Sequence, residues 1–143
     1  MTSKAIERMW DAHVAGEFET KDLEATLATM TDDASVLHVP VGTGGRGKDE
    51  LRAFYGDVFI GSWPADLQTT LVSRTVGETS LVDVLHMTFT HSNCMEWFLP
   101  GVAATSRRIE LDFIAVIAFE GALLASERIY WDHATVLRQA GLL

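Results

Sequence analysis

Of 143 residues, 48% are hydrophobic and 22% charged, a balance that excludes general disorder and fits one domain, spanning 1–143, with a core of its own. Eleven Lys+Arg against twenty Asp+Glu leave a formal net charge of −9. That charge repels phosphate backbones and anionic headgroups, so neither nucleic acid nor a membrane surface is an expected partner. The start, Met1-Thr2-Ser3-Lys4-Ala5-Ile6-Glu7-Arg8, is too charged for a signal peptide, and no run of eighteen uncharged apolar residues follows. Cys94 is the single cysteine and has no thiol partner for a disulfide or a thiolate metal site, which fits a cytoplasmic location.

In chain order, Ser3 is the expected cap of a first helix. Its apolar residues Ile6, Met9, Trp10, His13 and Val14 share one face, and Gly16 is the expected stop. Thr20 is placed to cap a second short helix carrying Leu23, Leu27 and Met30 on one side. Ser35 to Val39 reads as a short strand ended by Pro40. Gly42-Thr43-Gly44-Gly45-Arg46-Gly47 lacks the Lys-Ser/Thr ending of a phosphate-binding loop and reads as a flexible turn. A third helix is predicted from Lys48 to Phe59.

From Gln68 the chain turns to β-branched and aromatic runs, at 68–76, 81–91, 105–119 and 122–131. The short connections at 77–80 and 120–121 make their neighbours antiparallel hairpins. Ser92 to Ala104 is a long loop, and Asp132 caps a last helix from His133 to Ala140. Helices first and a curved antiparallel sheet after them is an α+β arrangement, with a pocket between sheet and helices.

Candidate chemistry rests on five histidines, the tryptophans and strand-borne carboxylates, because nucleotide, serine-hydrolase and zincin motifs are all absent. No local histidine pair has metal-ligand spacing, so a metal would need contacts distant in sequence, and none is expected. A Cys94/His91 nucleophilic pair lacks a visible orienting group. In 126–132, Ser126, Arg128, Tyr130 and Asp132 share one strand face, and Glu127, Ile129 and Trp131 the other. Two readings of Asp132 differ in sign: a helix cap lowers its pKa, whereas the rim of a dry pocket raises it toward acid–base use. Arg108, Glu110 and Asp112 alternate with Ile109, Leu111 and Phe113, while 114–119 is apolar on both sides, as expected for a sheet that meets helices on one face and a partner subunit on the other.

Four strings resemble the SnoaL-like polyketide cyclases of the NTF2-like superfamily, whose fold is an α+β cone. They are Trp10-Asp11-Ala12-His13, the run from Gly45 to Leu51, Thr90-His91 followed by Leu99-Pro100-Gly101, and Ile129-Tyr130-Trp131-Asp132 leading to Val136 through Leu143. The resemblance implies a strongly curved antiparallel sheet wrapped around N-terminal helices, an apolar pocket, a homodimer formed through the sheet, and a cofactor-free enzyme. Asp132 matches the family's acid–base aspartate at the end of the last long strand. The implied function is cyclisation or isomerisation of a small apolar carbonyl compound, with Asp132 moving the proton and His91 and His38 polarising the carbonyl or relaying it. Trp10, His13, Tyr55, His86, Trp97, Tyr130 and Trp131 are the expected pocket residues. The alternatives are a noncatalytic ligand-binding or dimerisation domain and an epoxide or lactone hydrolase.

Overall fold

Buried positions at Ile6, Trp10, His13, Gly16 and Glu17 recur at helical spacing and wind Ser3–Phe18 into helix α1. Thr2, one residue before the expected cap, accepts the Ala5 amide hydrogen at 3.1 Å. Gly16 does not stop this helix. A Cβ there would lie 2.6 Å from Thr26 Oγ1, so Gly16 instead lets α2 (Leu23–Ala28) approach closely, and α1 runs on through Glu17 and Phe18. Asp22, rather than Thr20, caps α2 through the Ala25 amide. The computed structural model describes residues 2–143, and Met1 of the charged N-terminal stretch lies outside them.

Strand β1 spans Met30–His38, five residues longer at its start than the Ser35 to Val39 reading. The glycine run is not a free turn. Thr43–Arg46 forms β2, antiparallel to β1, with Gly44 opposite Leu37. Gly44 has φ +140, and a Cβ would meet the Val36 carbonyl oxygen at 1.9 Å, so the strands pair at this distance only because the residue is glycine. The predicted third helix divides into α3 (Gly47–Ala53) and a wider π-helical turn over Phe54–Phe59, closed by Ile60 N donating to Tyr55 O.

Strands β3 (Gln68–Val76), β4 (Ser80–Thr90), β5 (Arg108–Glu120) and β6 (Leu123–Tyr130) pair antiparallel in sequence, β3 with β4 and β5 with β6 as the short connections predict, and β4 with β5 across the long loop. The sheet order is β2-β1-β6-β5-β4-β3, and β1 lies parallel to β6, a pairing with no local sequence signal. The six strands make a curled, unclosed sheet with the N-terminal helices against it, an α+β fold. Alternation sets the two faces. Ile109, Leu111, Phe113, Ala115 and Ile117 of β5 are buried toward the helices, and Asp112, Ile114 and Val116 look outward. Helix α4 (His133–Gln139) is capped by Asp132, as expected. Among the described residues, no helix is long and apolar enough to cross a membrane.

The core is unusually aromatic. Trp97 and Phe98 from the loop after β4 are fully buried against Trp63, Phe89, Phe113 and Trp131, with ring centroids 4.8 to 6.3 Å apart. Trp97 Nε1 donates to Ser62 Oγ, so the indole is buried with its polar atom satisfied.

Candidate functional site

Helix α1 carries the first half of the site. One turn separates His13 from Glu17, so both face the sheet, and the His13 Nε2 to Glu17 Oε1 distance is 2.7 Å. Glu127 of β6 supplies the second half: its Oε2 is 3.3 Å from the same nitrogen and accepts from Tyr55 OH at 3.2 Å. The π-helical turn delivers Tyr55 there. All four side chains are buried.

Hydrogen-bond partners decide the histidine tautomer. Thr29 Oγ1 donates its only hydrogen to Thr26 O at 2.6 Å, so it must accept at its 2.8 Å contact with His13 Nδ1. Nδ1 therefore carries a hydrogen, and Nε2 is the atom that faces Glu17, Glu127 and Tyr55. Burial alone would lower the His13 pKa, but the carboxylates of Glu17 and Glu127 outweigh it and push it up to about 10. Burial raises Glu17 to about 7, opposed by His13 and assisted by the nearby Glu127 charge. Burial also holds the Tyr55 hydroxyl well above its ordinary value, reinforced by Glu127.

A second polar group braces α1 from the side. Trp10 stacks on His13, with ring centroids 5.4 Å apart, and donates Nε1–H to Asp83 Oδ2 at 2.8 Å. Arg74 of β3 then holds Asp83 with two donors, Nε and Nη2, at 2.8 and 2.9 Å.

Between these groups and the sheet lies a narrow, mainly apolar cavity of about 40 Å³. Trp10, Phe18, His38, Phe59, Trp63 and Phe113 contribute to its wall, and Glu17 and Glu127 are also among its lining residues. Trp63 Nε1 is buried without a hydrogen-bond partner among the described residues. His38 is caged by Phe54, Phe59, Trp97 and Trp131. Burial lowers its pKa to about 4, and Nδ1 contacts the Thr43 carbonyl oxygen at 3.2 Å. A carbonyl only accepts, so Nδ1 carries the hydrogen and Nε2 of neutral His38 is an acceptor. Neutral His38 is therefore unsuited to polarising a carbonyl, one of the two roles expected for it beside relaying the proton.

The expected site residues thus separate. Trp10 and His38 line the cavity; His13, Tyr55 and Trp97 support it from behind; and Trp131 stands in the aromatic core beside His38. Asp132 is elsewhere. It is exposed at the start of α4, where Oδ1 accepts from the Thr135 amide and Oδ2 from the Thr135 hydroxyl, and these bonds lower its pKa. Of its two readings the geometry fits the cap. His91, just past β4, takes the Thr105 amide hydrogen on Nδ1, and its buried Nε2 has no partner among the described residues. It does not line the cavity. His86 lies on the outer face between Asp112 and Glu110, and Tyr130 is exposed on that face beside Arg128, because strand alternation turns both away from the helices. Cys94 is exposed and donates to Glu96, which raises its pKa, the opposite of an activated thiol.

Glu17, Glu127 and Asp83 were not anticipated. Glu127 had a signal, since it alternates with Ile129 and Trp131 on the apolar face of β6, and Glu17 follows His13 by four residues once Gly16 no longer ends the helix.

A family model described as SnoaL-like domain matches residues 9–127. None of the curated proteins compared matches the chain. Among solved structures, the chain resembles TsrD from Streptomyces laurentii, with a TM-score of 0.74 at 18% identity over 100% of this chain and 99% of that one. An NTF2-like protein from Burkholderia xenovorans LB400 aligns with a TM-score of 0.71 at 16% identity, covering 98% of each chain. SalBIII, an epoxide hydrolase/cyclase-like enzyme with a role in pyran ring formation in the polyether salinomycin, aligns at 0.65 with 14% identity over 92% of this chain and 93% of that one. At these identities the likeness is one of fold.

Proposed function

The chain belongs to the SnoaL-like domain family, and we propose that it is an acid–base enzyme that cyclises or isomerises a small, mostly apolar carbonyl compound, with Glu17 moving the proton. The observation that carries this reading is a carboxyl group at the wall of an apolar cavity whose pKa burial has raised to about 7. Near neutral pH such a group is populated in both forms, so it can accept a proton from carbon beside a carbonyl and return it elsewhere. His13, oriented by Thr29, steadies the ionised form of Glu17. Trp63, which lines the cavity, carries a buried Nε1–H without a partner among the described residues, and a small side-chain shift would offer it to the carbonyl oxygen as charge develops there. As it stands the cavity holds only a small neutral group, so a whole substrate enters it with side-chain movement at its mouth.

Mass spectrometry of ligand carried through purification under native conditions identifies the substrate class. With that compound, Glu17→Gln is expected to lower turnover by roughly 10²–10⁴-fold, and Asp132→Asn to leave it unchanged, because Asn also caps a helix. Full turnover by Glu17→Gln would refute the assignment, and a ligand bound but never converted would make the domain a binding module. We further propose that a second copy docks on the outer sheet face, where half-buried Val84 and Ile114 lie opposite each other, as do Val82 and Val116. Sedimentation giving a monomer at micromolar concentration would remove that part.

A further inference from the structure

The buried His13 group presents more anionic demand than one hydrogen can meet. Nε2 has three oxygen neighbours, Glu17 Oε1 at 2.7 Å, Glu127 Oε2 at 3.3 Å and Tyr55 OH at 3.3 Å, and it can carry at most one hydrogen. Among the described residues, no Lys or Arg pairs with Glu17 or Glu127. With both carboxyls ionised, a protonated His13 cancels half of their charge, whereas a divalent cation on a neutral His13 cancels all of it.

We infer that His13 Nε2, Glu17 and Glu127 form a binding site for one divalent transition-metal ion of the Zn²⁺ class, open toward the cavity. The three ligand atoms lie within 4.8 Å of one another. Bonds of about 2.0–2.2 Å give coordination polyhedra with edges of roughly 3.0–3.4 Å; the 3.3 Å separation from Nε2 to Glu127 already falls in that range, and the 2.7 Å one to Glu17, a hydrogen bond, opens by a few tenths of an ångström when the ion replaces the proton. The tautomer agrees. Thr29 takes the Nδ1 hydrogen and leaves Nε2 as the ligating atom, which is how a metal-binding imidazole is ordinarily oriented from behind. One imidazole and two carboxylates suit a borderline ion rather than a soft one. Because Glu17 and Glu127 also line the cavity, a remaining coordination position can meet an oxygen-bearing ligand there. The ligands come from α1 and β6, more than a hundred residues apart, which is why no spacing in the sequence announces them.

The inference stands on this geometry and does not require the proton-transfer reading; it adds a metal-bound state of the same cluster, in competition with the proton. The full chain, treated with chelator and dialysed, is titrated with Zn²⁺ alone at pH 7.5, with far-UV circular dichroism checking each variant. One Zn²⁺ per chain is expected, with affinity falling at least tenfold in Glu17→Gln and, independently, in Glu127→Gln. Thr29→Ala should weaken it about 10–100-fold through loss of the imidazole's orientation. His86→Ala, which alters the exposed cluster on the outer face, should leave it unchanged. Absence of tight Zn²⁺, binding abolished by His86→Ala, or binding unaffected in both Gln variants would each overturn the assignment. Turnover by the metal-free chain tests the proton-transfer reading separately, and its failure leaves the Zn²⁺ stoichiometry untouched.

Discussion

Two clusters in this protein have nearly the same composition, a histidine between two carboxylates, and opposite surroundings. His13 sits between Glu17 and Glu127 beneath the helices, and His86 between Asp112 and Glu110 on the outer sheet face. The contact distances are alike, 2.7 and 3.3 Å inside against 2.8 and 3.1 Å outside. In both, carboxylates raise the histidine pKa: Asp112 first for His86, and Glu17 and Glu127 against the opposing effect of burial for His13. The carboxylates behave differently. Outside, water screens the pair of like charges; inside, burial raises Glu17 to about 7. The lesson is that residue type and spacing do not set the proton affinity of a carboxyl group, whereas its surroundings do.

The comparison breaks most visibly on deletion of the histidine. His13→Ala leaves two carboxyls facing each other without a cation, and chemical denaturation at pH 7 should show a loss of about 3–5 kcal/mol. His86→Ala should leave the unfolding midpoint where it is. Next in size is Gly16→Ala, whose new Cβ would press on Thr26 Oγ1 at 2.6 Å. A loss of about 1–3 kcal/mol is expected, with displacement of Glu17 seen as lower turnover.

A smaller effect separates the carboxyls by pH. Glu17 has a folded pKa raised from 4.5 to about 7, so the folded state holds its proton more tightly than the unfolded chain. Its contribution to stability is therefore fully present below pH 4.5 and is lost as pH rises toward 7. Unfolding free energies across that window should fall more steeply with pH in the natural protein than in Glu17→Gln; parallel curves would contradict the raised pKa. His13 works over a different range, stabilising fully below pH 6.5 and fading as pH rises through about 10. The smallest expected difference is in salt response. At about 1 M salt the Debye length is ~3 Å, so the NMR titration of His86 should move toward its ordinary value while that of His13 stays in place.

Much of the architecture was legible because it is written in short-range chemistry. Apolar residues at helical spacing marked α1, the β-branched runs marked β3 to β6, and Asp132 marked the start of α4. Errors came where a glycine had a tertiary reason. Gly16 read as a helix stop, yet it admits α2; Gly44 read as part of a loop, yet it lets β2 lie against β1. The first misreading hid Glu17, which follows the glycine directly. Asp132 drew attention for the converse reason, since its place at a strand end carries a family precedent while its two bonds to Thr135 are those of a cap.

By itself the sequence determined the acidic surface, the order of helices and antiparallel hairpins, the aromatic stock of the core and the family resemblance, all of which depend on composition or on neighbours a few residues apart. Only the tertiary structure decided which carboxyls lose their water. Glu17 and Glu127 meet across 110 residues because β1 lies parallel to β6 and α1 packs against the sheet beside them, and the pKa of a carboxyl group is set by what surrounds it in space rather than by what precedes it along the chain.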